Sequence, residues 1–306
     1  MPKSVVKGGF VRFCSTAAVA LFALSLGACE NSGVDPTAAP VTSVLLTDAP
    51  FPFDRVARVD VYVVSLQAAE NADTGAAQAG LVAIVAPRRR FNLLELQAGA
   101  TVSLGDTTIP AALFRSVKLT IDTDSSSVTM RDGSVLTGTT TPGVNWQGSG
   151  EIPLNALVHD FVEITDTGAV VVIDFDLGNS FLPWGADTIG GATGFLFTPH
   201  IRAVNSAESG SVSGIVVAAD DGAPIPGVAV RAIQGNPDWP ENTWSTLSSG
   251  NTDANGEFRL AYLWPRTYIM AVDAPRGSPF DSVRVANVAV NAGDEISLGT
   301  LALPRR

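Results

Sequence analysis

Six aspartates stand where carboxylate chemistry would want them. Asp48, Asp54, Asp122, Asp124, Asp174 and Asp176 fall at or near the ends of segments that read as strands. Side chains two apart on a strand project to one face, so Asp122 with Asp124 and Asp174 with Asp176 form pairs. Converging at one rim, such groups could hold Ca²⁺, a hard cation that takes about 6–8 oxygens, or work as an acid and base pair. The competing reading is structural: Asp48 and Asp54 cap turns, and the other four are solvated strand ends. No contiguous loop has the EF-hand spacing, and Asp253-Ala254-Asn255-Gly256-Glu257 starts like a calcium loop but lacks the later ligands. It reads instead as a tight hairpin turn. No specific motif implies a cofactor, and Ca²⁺ is left as the one ion the carboxylates would suit.

Nucleophilic catalysis has less to work with. The chain has no G-x-S-x-G elbow, two histidines and two cysteines, both cysteines near the N-terminus. His159 and His200 each stand alone, as ordinary rim or surface hydrogen bonders. Aromatic recognition has more support: Asn236-Pro237-Asp238-Trp239-Pro240-Glu241-Asn242-Thr243-Trp244 puts Trp239 and Trp244 in a Pro-rich insertion beside polar side chains, the combination that recognises sugars. The alternative is that Trp239 pins the loop while Trp244 enters a core. Trp146 and Trp184, in Gly-rich loops, pose the same question. Arg88-Arg89-Arg90 is the only basic cluster and reads as a solvated strand start, with anionic lipid or glycan as the functional alternative.

The elements that must position these residues are strands. Val59, Val61 and Val63 alternate with polar neighbours, as do Val117, Leu119 and Ile121, a period of two that turns one face to a core. Val170-Val171-Val172-Ile173-Asp174-Phe175-Asp176 is apolar on both faces until it ends in acids, as expected of a central strand emerging at a sheet edge. Only Phe91–Leu96 and Ile109–Phe114 could form a helical turn or two. A boundary falls at Asn205-Ser206-Ala207-Glu208-Ser209-Gly210, and beyond it about seven short strands fit before the C-terminus.

Composition narrows the class. A chain of 306 residues, 46% hydrophobic and only 16% charged, has room for about two packed domains and is neither disordered nor a coiled coil. Its formal charge of −11 would repel a phosphate backbone, so nucleic acid is a poor candidate partner.

Lys3, Lys7 and Arg12 precede the apolar run Ser15–Leu24, too short to span a bilayer, in the grammar of a signal peptide. Leu26-Gly27-Ala28-Cys29 then resembles a bacterial lipobox, which implies cleavage before Cys29, lipidation of its sulfur and anchoring by more than one acyl chain. Cleavage removes three basic and no acidic residues, taking the charge from −11 to −14, and removes Cys14. No disulfide can then form within the chain. By resemblance to Gram-negative lipoproteins, Glu30 after the cysteine implies the outer membrane. Residues 31–40 read as a polar, Pro-containing tether.

Two family resemblances cover the rest. Gly214-Ile215-Val216-Val217, Ala223–Val230, Thr252–Leu260 and Pro265-Arg266-Thr267-Tyr268 make residues 210–302 similar to the carboxypeptidase regulatory-like domain, a prealbumin-like sandwich also described as a carbohydrate-binding-like fold. That family usually has Gly where Arg266 stands, so a turn needing positive φ there is expected to be strained or of another type. The resemblance implies an accessory module without catalytic residues. Leu46-Thr47-Asp48-Ala49-Pro50, Phe53-Asp54-Arg55-Val56, Asn92–Leu96, Ile109-Pro110, Val117-Lys118-Leu119, Val172–Asp176 and Pro199-His200-Ile201-Arg202 make residues 44–204 resemble the DUF4382 family, which has no known activity and is common in bacterial lipoproteins. Its Gly and aromatic after Leu-Pro-Ala are replaced by Ala112-Leu113-Phe114.

The expectation is an all-β chain of two β-sandwich domains, the C-terminal one prealbumin-like: signal peptide 1–28, lipidated Cys29 and tether to residue 40, a DUF4382-like domain 41–205 and a regulatory-like domain 210–306. The expected role is a membrane-anchored, non-catalytic binding or structural module of the cell envelope, with carbohydrate or another envelope protein as partner. The alternatives are a carboxylate-based or Ca-dependent enzyme and a protein–protein assembly component.

Overall fold

A computed structural model describes residues 40–49, 55–71, 80–184, 194–235, 240, 243–275 and 277–306. The signal peptide, Cys29, Asp54 and Trp239 lie outside the described residues.

Alternating Val, Ile and Leu with few helix-forming runs dictate strands, and strands account for nearly all regular structure. In the first half, Val41–Ala49 lies inside a four-stranded sheet, parallel to Ala169–Asp176 and antiparallel to Val102–Thr108; Ile201–Asn205 completes it on the far side of Ala169–Asp176. A second sheet is built on two long strands, Val56–Ala69 and Ser116–Met130, flanked by Glu151–Ala156 and by the short strands Val82–Val85, Arg89–Asn92 and Val135–Leu136. Val44, Leu46, Ile173 and Phe175 from the first sheet meet Val59, Val61, Leu119 and Ile121 from the second in one buried core. An aromatic group closes one end: Trp146 lies 5.0 Å from Phe197 and 5.6 Å from Phe181, ring centre to ring centre.

The long strands are not regular. Their mutual register shifts at three places, between Val56 and Arg58, Asp60 and Tyr62, and Val63 and Ser65. The core-facing set changes from odd positions (Val59, Val61, Val63) to even ones (Leu66, Ala68) at the third shift, because Val64 is there an extra residue on this strand and reverses the faces that follow.

The second half contains the strands Gly210–Ala218, Ala229–Gln234, Ser245–Asn251, Glu257–Leu263, Arg266–Asp273, Val283–Val290 and Glu295–Leu303. They form a three-stranded sheet, with Gly210–Ala218 between Glu257–Leu263 and the parallel Glu295–Leu303, and a four-stranded sheet facing it. Val212, Val216, Phe258 and Leu260 pack against Val230, Ala232, Tyr268 and Met270, so a second core lies between these two sheets. Each half is thus a β-sandwich, joined through Ser206–Glu208, a single 3₁₀ turn.

Three local expectations are corrected. Ile109–Phe114 does not make a helical turn; Ala112–Phe114 is a strand paired with Val162–Ile164. The Asp253–Gly256 turn is tight, with Asp253 Oδ1 accepting from the backbone N of Asn255 at 2.8 Å and of Glu257 at 2.9 Å, but it joins strands of opposite sheets and is not a hairpin. Gly256 sits there at φ +75°, where a Cβ would stand 2.4 Å from the carbonyl oxygen of Val216. Arg266 opens a strand, and the positive φ of that region falls instead on Tyr262 at +54°.

Candidate functional site

The strand Ala169–Asp176 was expected to emerge at an edge with its acids in solvent. It is instead covered on both faces. Val171, Ile173 and Phe175 face the first core, whereas Val172, Asp174 and Asp176 project to the other side of the sheet and are equally buried. On the neighbouring strand Arg202 and Val204 face the same way and are buried as well, and Val172 and Val204 belong to neither hydrophobic core. This outer face is where the second sandwich packs.

Its centre is an ion pair. Arg202 Nη2 donates to Asp174 Oδ2, with side chains only 4% and 5% exposed. The pairing register places the two residues directly opposite each other across antiparallel strands. Burial of this kind is tolerated only when the remaining hydrogen-bonding capacity is used. The second sandwich uses it: Arg202 Nη1 donates to the carbonyl of Tyr262 at 3.3 Å, and the guanidinium lies 5.3 Å from the centre of the Trp264 indole. Trp264 is itself buried, with His159 of the first sandwich 5.6 Å away on a tilted ring. Tyr268 Oη donates to the Trp264 carbonyl at 2.9 Å; burial pushes its hydroxyl up to about 12.

Asp176 serves the same seam. It caps the one-turn helix Leu177–Ser180, its Oδ1 accepting from the Asn179 backbone N at 3.0 Å and its Oδ2 from Asn179 Nδ2 at 2.8 Å. From the other sandwich, Ser249 Oγ reaches both oxygens, at 3.1 and 3.0 Å. Burial, with the nearby Asp174 charge second, raises the Asp176 carboxyl above the ordinary carboxylate range, and the bonds from Asn179 and Ser249 partly offset this. Asp48, also buried, accepts from the Leu177 backbone N at 3.1 Å. Near the junction Glu208 is likewise raised, first by burial and then by Glu163 beside it.

The expected rim of six carboxylates does not form among the five described ones. Asp48, Asp174 and Asp176 gather at the seam, but Asp122 and Asp124 lie in the other sheet of the first sandwich. There Asp122 holds together a bulge: its Oδ1 accepts from the Asp124 backbone N at 3.1 Å and its Oδ2 from Ser125 Oγ at 2.6 Å. Asp124 is exposed. Among the described residues no three His, Cys, Asp or Glu side chains stand together as a metal site would require. The solvated-end reading is corrected equally, since Asp174 and Asp176 are buried and hydrogen-bonded.

The other expected residues scatter. Trp244 does not enter the sandwich core; it packs with Ile233, Ile269 and Ala271, a small group separate from that core. His200 Nδ1 is 3.0 Å from the Thr198 carbonyl and exposed. Arg89 and Arg90 bond the carbonyls of Ser103 and Ser125, while Arg88 sits 4.0 Å from Glu151. The residues that matter at the seam, Arg202, Tyr262, Trp264 and Ser249, were not singled out from sequence. The available signal was Arg202 itself, an ionised side chain in the apolar run Ile201–Val204, which demands a buried partner.

Comparison with known proteins places these sandwiches in families. Residues 41–199 match DUF4382, a domain of unknown function, and residues 211–304 match the carboxypeptidase regulatory-like domain. The protein is thus an all-β chain of two sandwich domains, the second of prealbumin-like type. It belongs to the DUF4382 family. No curated protein matches it. Among solved structures it is similar to a Streptococcal ancillary pilin (12% identity, 88% of this chain and 64% of that one, TM-score 0.25). It is also similar to the Bacillus anthracis TIE protein (9%, 87% and 40%, TM-score 0.23) and to a minor pilin of Streptococcus agalactiae (9%, 87% and 96%, TM-score 0.24). The chain thus spans less than two thirds of the length of the first two. Likeness at these scores is loose, and the fold rests on the strand pairing given above. No helix among the described residues is long and apolar enough to cross a membrane.

Proposed function

We propose that this protein is a non-catalytic structural or binding module of the bacterial cell envelope, carried at the outer membrane on an acylated Cys29, with its two sandwiches acting as one rigid body. The observation that supports the module reading is the commitment of Asp174 and Asp176. The two carboxylates best placed for acid–base or metal chemistry are buried at the seam and committed to Arg202, Asn179 and Ser249. A carboxylate held this way stiffens a joint and is not free to exchange protons with a ligand. The regulatory-like match to residues 211–304 supports the same accessory role. The signal-peptide grammar and Leu26-Gly27-Ala28-Cys29 supply the anchor.

The test combines anchoring with rigidity. Expressed as the full chain in a Gram-negative host, the protein should sediment with outer membranes and carry acyl mass on Cys29, and Cys29→Ala should release it into the soluble fraction. A non-acylated Cys29 refutes the anchor. Small-angle scattering of residues 40–306 should fit one rigid particle, and a fit that requires independently moving sandwiches refutes the rigid module.

A further inference from the structure

Beside the seam the two sandwiches leave an open cleft of about 440 Å³, within the range of small-ligand sites. One wall comes from the first sandwich at Ala98-Gly99-Ala100 and the junction serines Ser206 and Ser209; the other is built by Ser211, Arg259, Tyr262, Asp294 and Glu295. We propose that this cleft is a binding site for an uncharged, hydroxyl-rich saccharide, one or two sugar rings at a time. The proposal rests on the binding-module reading above and names its ligand.

The chemistry of the walls points there. Tyr262 is the single aromatic, half-buried, its hydroxyl 3.5 Å from the Gly99 carbonyl across the cleft. An aromatic ring in a polar cleft offers the flat apolar surface on which the C–H face of a sugar packs. Around it stand groups that hydrogen-bond in both senses: Arg259 as donor, Glu295 and Asp294 as acceptors, and the serine hydroxyls as either. One Arg against two carboxylates leaves the walls only slightly acidic. Arg259 Nη2 lies 3.3 Å from Glu295 Oε1 with both side chains solvent-accessible, so neither a phosphate nor a strong cation meets a concentrated field of opposite sign. Asp294 is held by Asn291, whose backbone N and Nδ2 donate to its Oδ2 at 2.8 and 2.9 Å.

The frame is fixed before any ligand arrives. Ala98 at φ +57° and Tyr262 at φ +54° are non-glycine residues in the left-handed region on facing walls, a conformation that costs about 1–3 kcal/mol each and persists only where packing over-determines it. Gly99 at φ +86° brings the walls together, since a Cβ on it would stand 3.1 Å from the Ala261 Cβ. A peptide is the weaker occupant. The cleft has no deep apolar pocket to take its side chains, and the Gln97–Gly99 turn packs against Glu257–Leu263, the edge strand that would have to accept an added strand.

The experiment titrates ¹⁵N-labelled residues 40–306 with chitobiose, with maltotriose and with trialanine, reading backbone amide shifts. The expected result is millimolar binding of at least one sugar, with shifts centred on Gly99, Ser211, Tyr262 and Gly293. Arg259→Ala, at an exposed side chain, should fold normally and weaken that binding by about fivefold or more. The inference is overturned by no shifts at about 20 mM of either sugar, by shifts confined elsewhere, by Arg259→Ala binding as tightly as the parent, or by trialanine taking the site instead. These outcomes leave the anchoring and rigidity results untouched, so failure of the cleft is distinguishable from failure of the module.

Discussion

Arg202→Met tests the seam directly. The substitution keeps the length of the aliphatic stem but removes the guanidinium, leaving Asp174 as a carboxylate 5% exposed with Asp176 close by. It also deletes the bond to the Tyr262 carbonyl and the stacking on Trp264. Breaking a buried pair from one side costs about 3–5 kcal/mol, because the remaining charge has lost its solvent and its partner together. At about 2–4 °C per kcal/mol for chains of roughly this size, the unfolding midpoint should fall by about 6–20 °C. The diagnostic step is a second substitution. Asp174→Leu added to Arg202→Met removes the stranded charge, and apolar replacement of a whole buried pair is often neutral or better, so at least about half the loss should return. Thermal unfolding of residues 40–306 by calorimetry near neutral pH measures both variants. The destabilisation should also be insensitive to salt, since a pair shielded from solvent is barely screened. A single variant within about 1 kcal/mol of the parent, or a double variant no better than the single, refutes the account of Asp174 and Arg202 as a buried, mutually dependent pair.

Further outcomes follow from the same geometry. Because the native Asp176 carboxyl is raised, the folded state holds its proton longer than the unfolded one; stability falls as pH rises from the unfolded carboxylate value through the folded one, and below both the effect vanishes. Asp176→Asn should therefore gain stability relative to the parent as pH goes from about 4 to 8, and parallel pH–stability curves would refute this. With Tyr268 pushed to about 12, one of the three tyrosines should resist ionisation in a spectrophotometric titration at 295 nm until the chain unfolds, and stability should decline as pH passes the unfolded tyrosine value near 10. Simultaneous titration of all three near pH 10 in folded protein refutes it. Gly256→Ala should cost at least about 2 kcal/mol in urea unfolding, from the positive φ and the contact with the Val216 carbonyl, and a loss under about 0.5 kcal/mol refutes the turn geometry.

The strands were legible because their signal is local. Val59, Val61 and Val63 on one face, or Val117, Leu119 and Ile121, announce a half-buried strand whatever it pairs with. The reversal of faces after Val63 was not legible, since a bulge depends on the partner strand: Val63 stands opposite Ile121 and Ser65 opposite Thr120, which leaves Val64 as the extra residue. The acids of the Val170–Asp176 run were misread for a related reason. An apolar run ending in carboxylates looks the same whether it emerges into water or meets a second domain, and what decides is a group more than 25 residues away, Arg202 for Asp174 and Ser249 for Asp176. Likewise Trp244 gives the same sequence pattern whether it fills a sandwich or covers a sheet from outside.

The placement of Val41–Ala49 inside its sheet governs the order in which the chain can close. Its parallel partner ends beside Leu177, whose backbone N bonds to Asp48 across 129 residues. At roughly 5–20 residues per second, the first strand to be made waits on the order of ten seconds before that partner exists. Pairings at such separation are slow to form, and a strand edge left unpaired in the interval is a template for association with other chains. The strand carries its own protection: Thr42, Ser43, Thr47 and Asp48 interrupt its aliphatic residues, so the segment that waits longest is also poor at pairing with copies of itself.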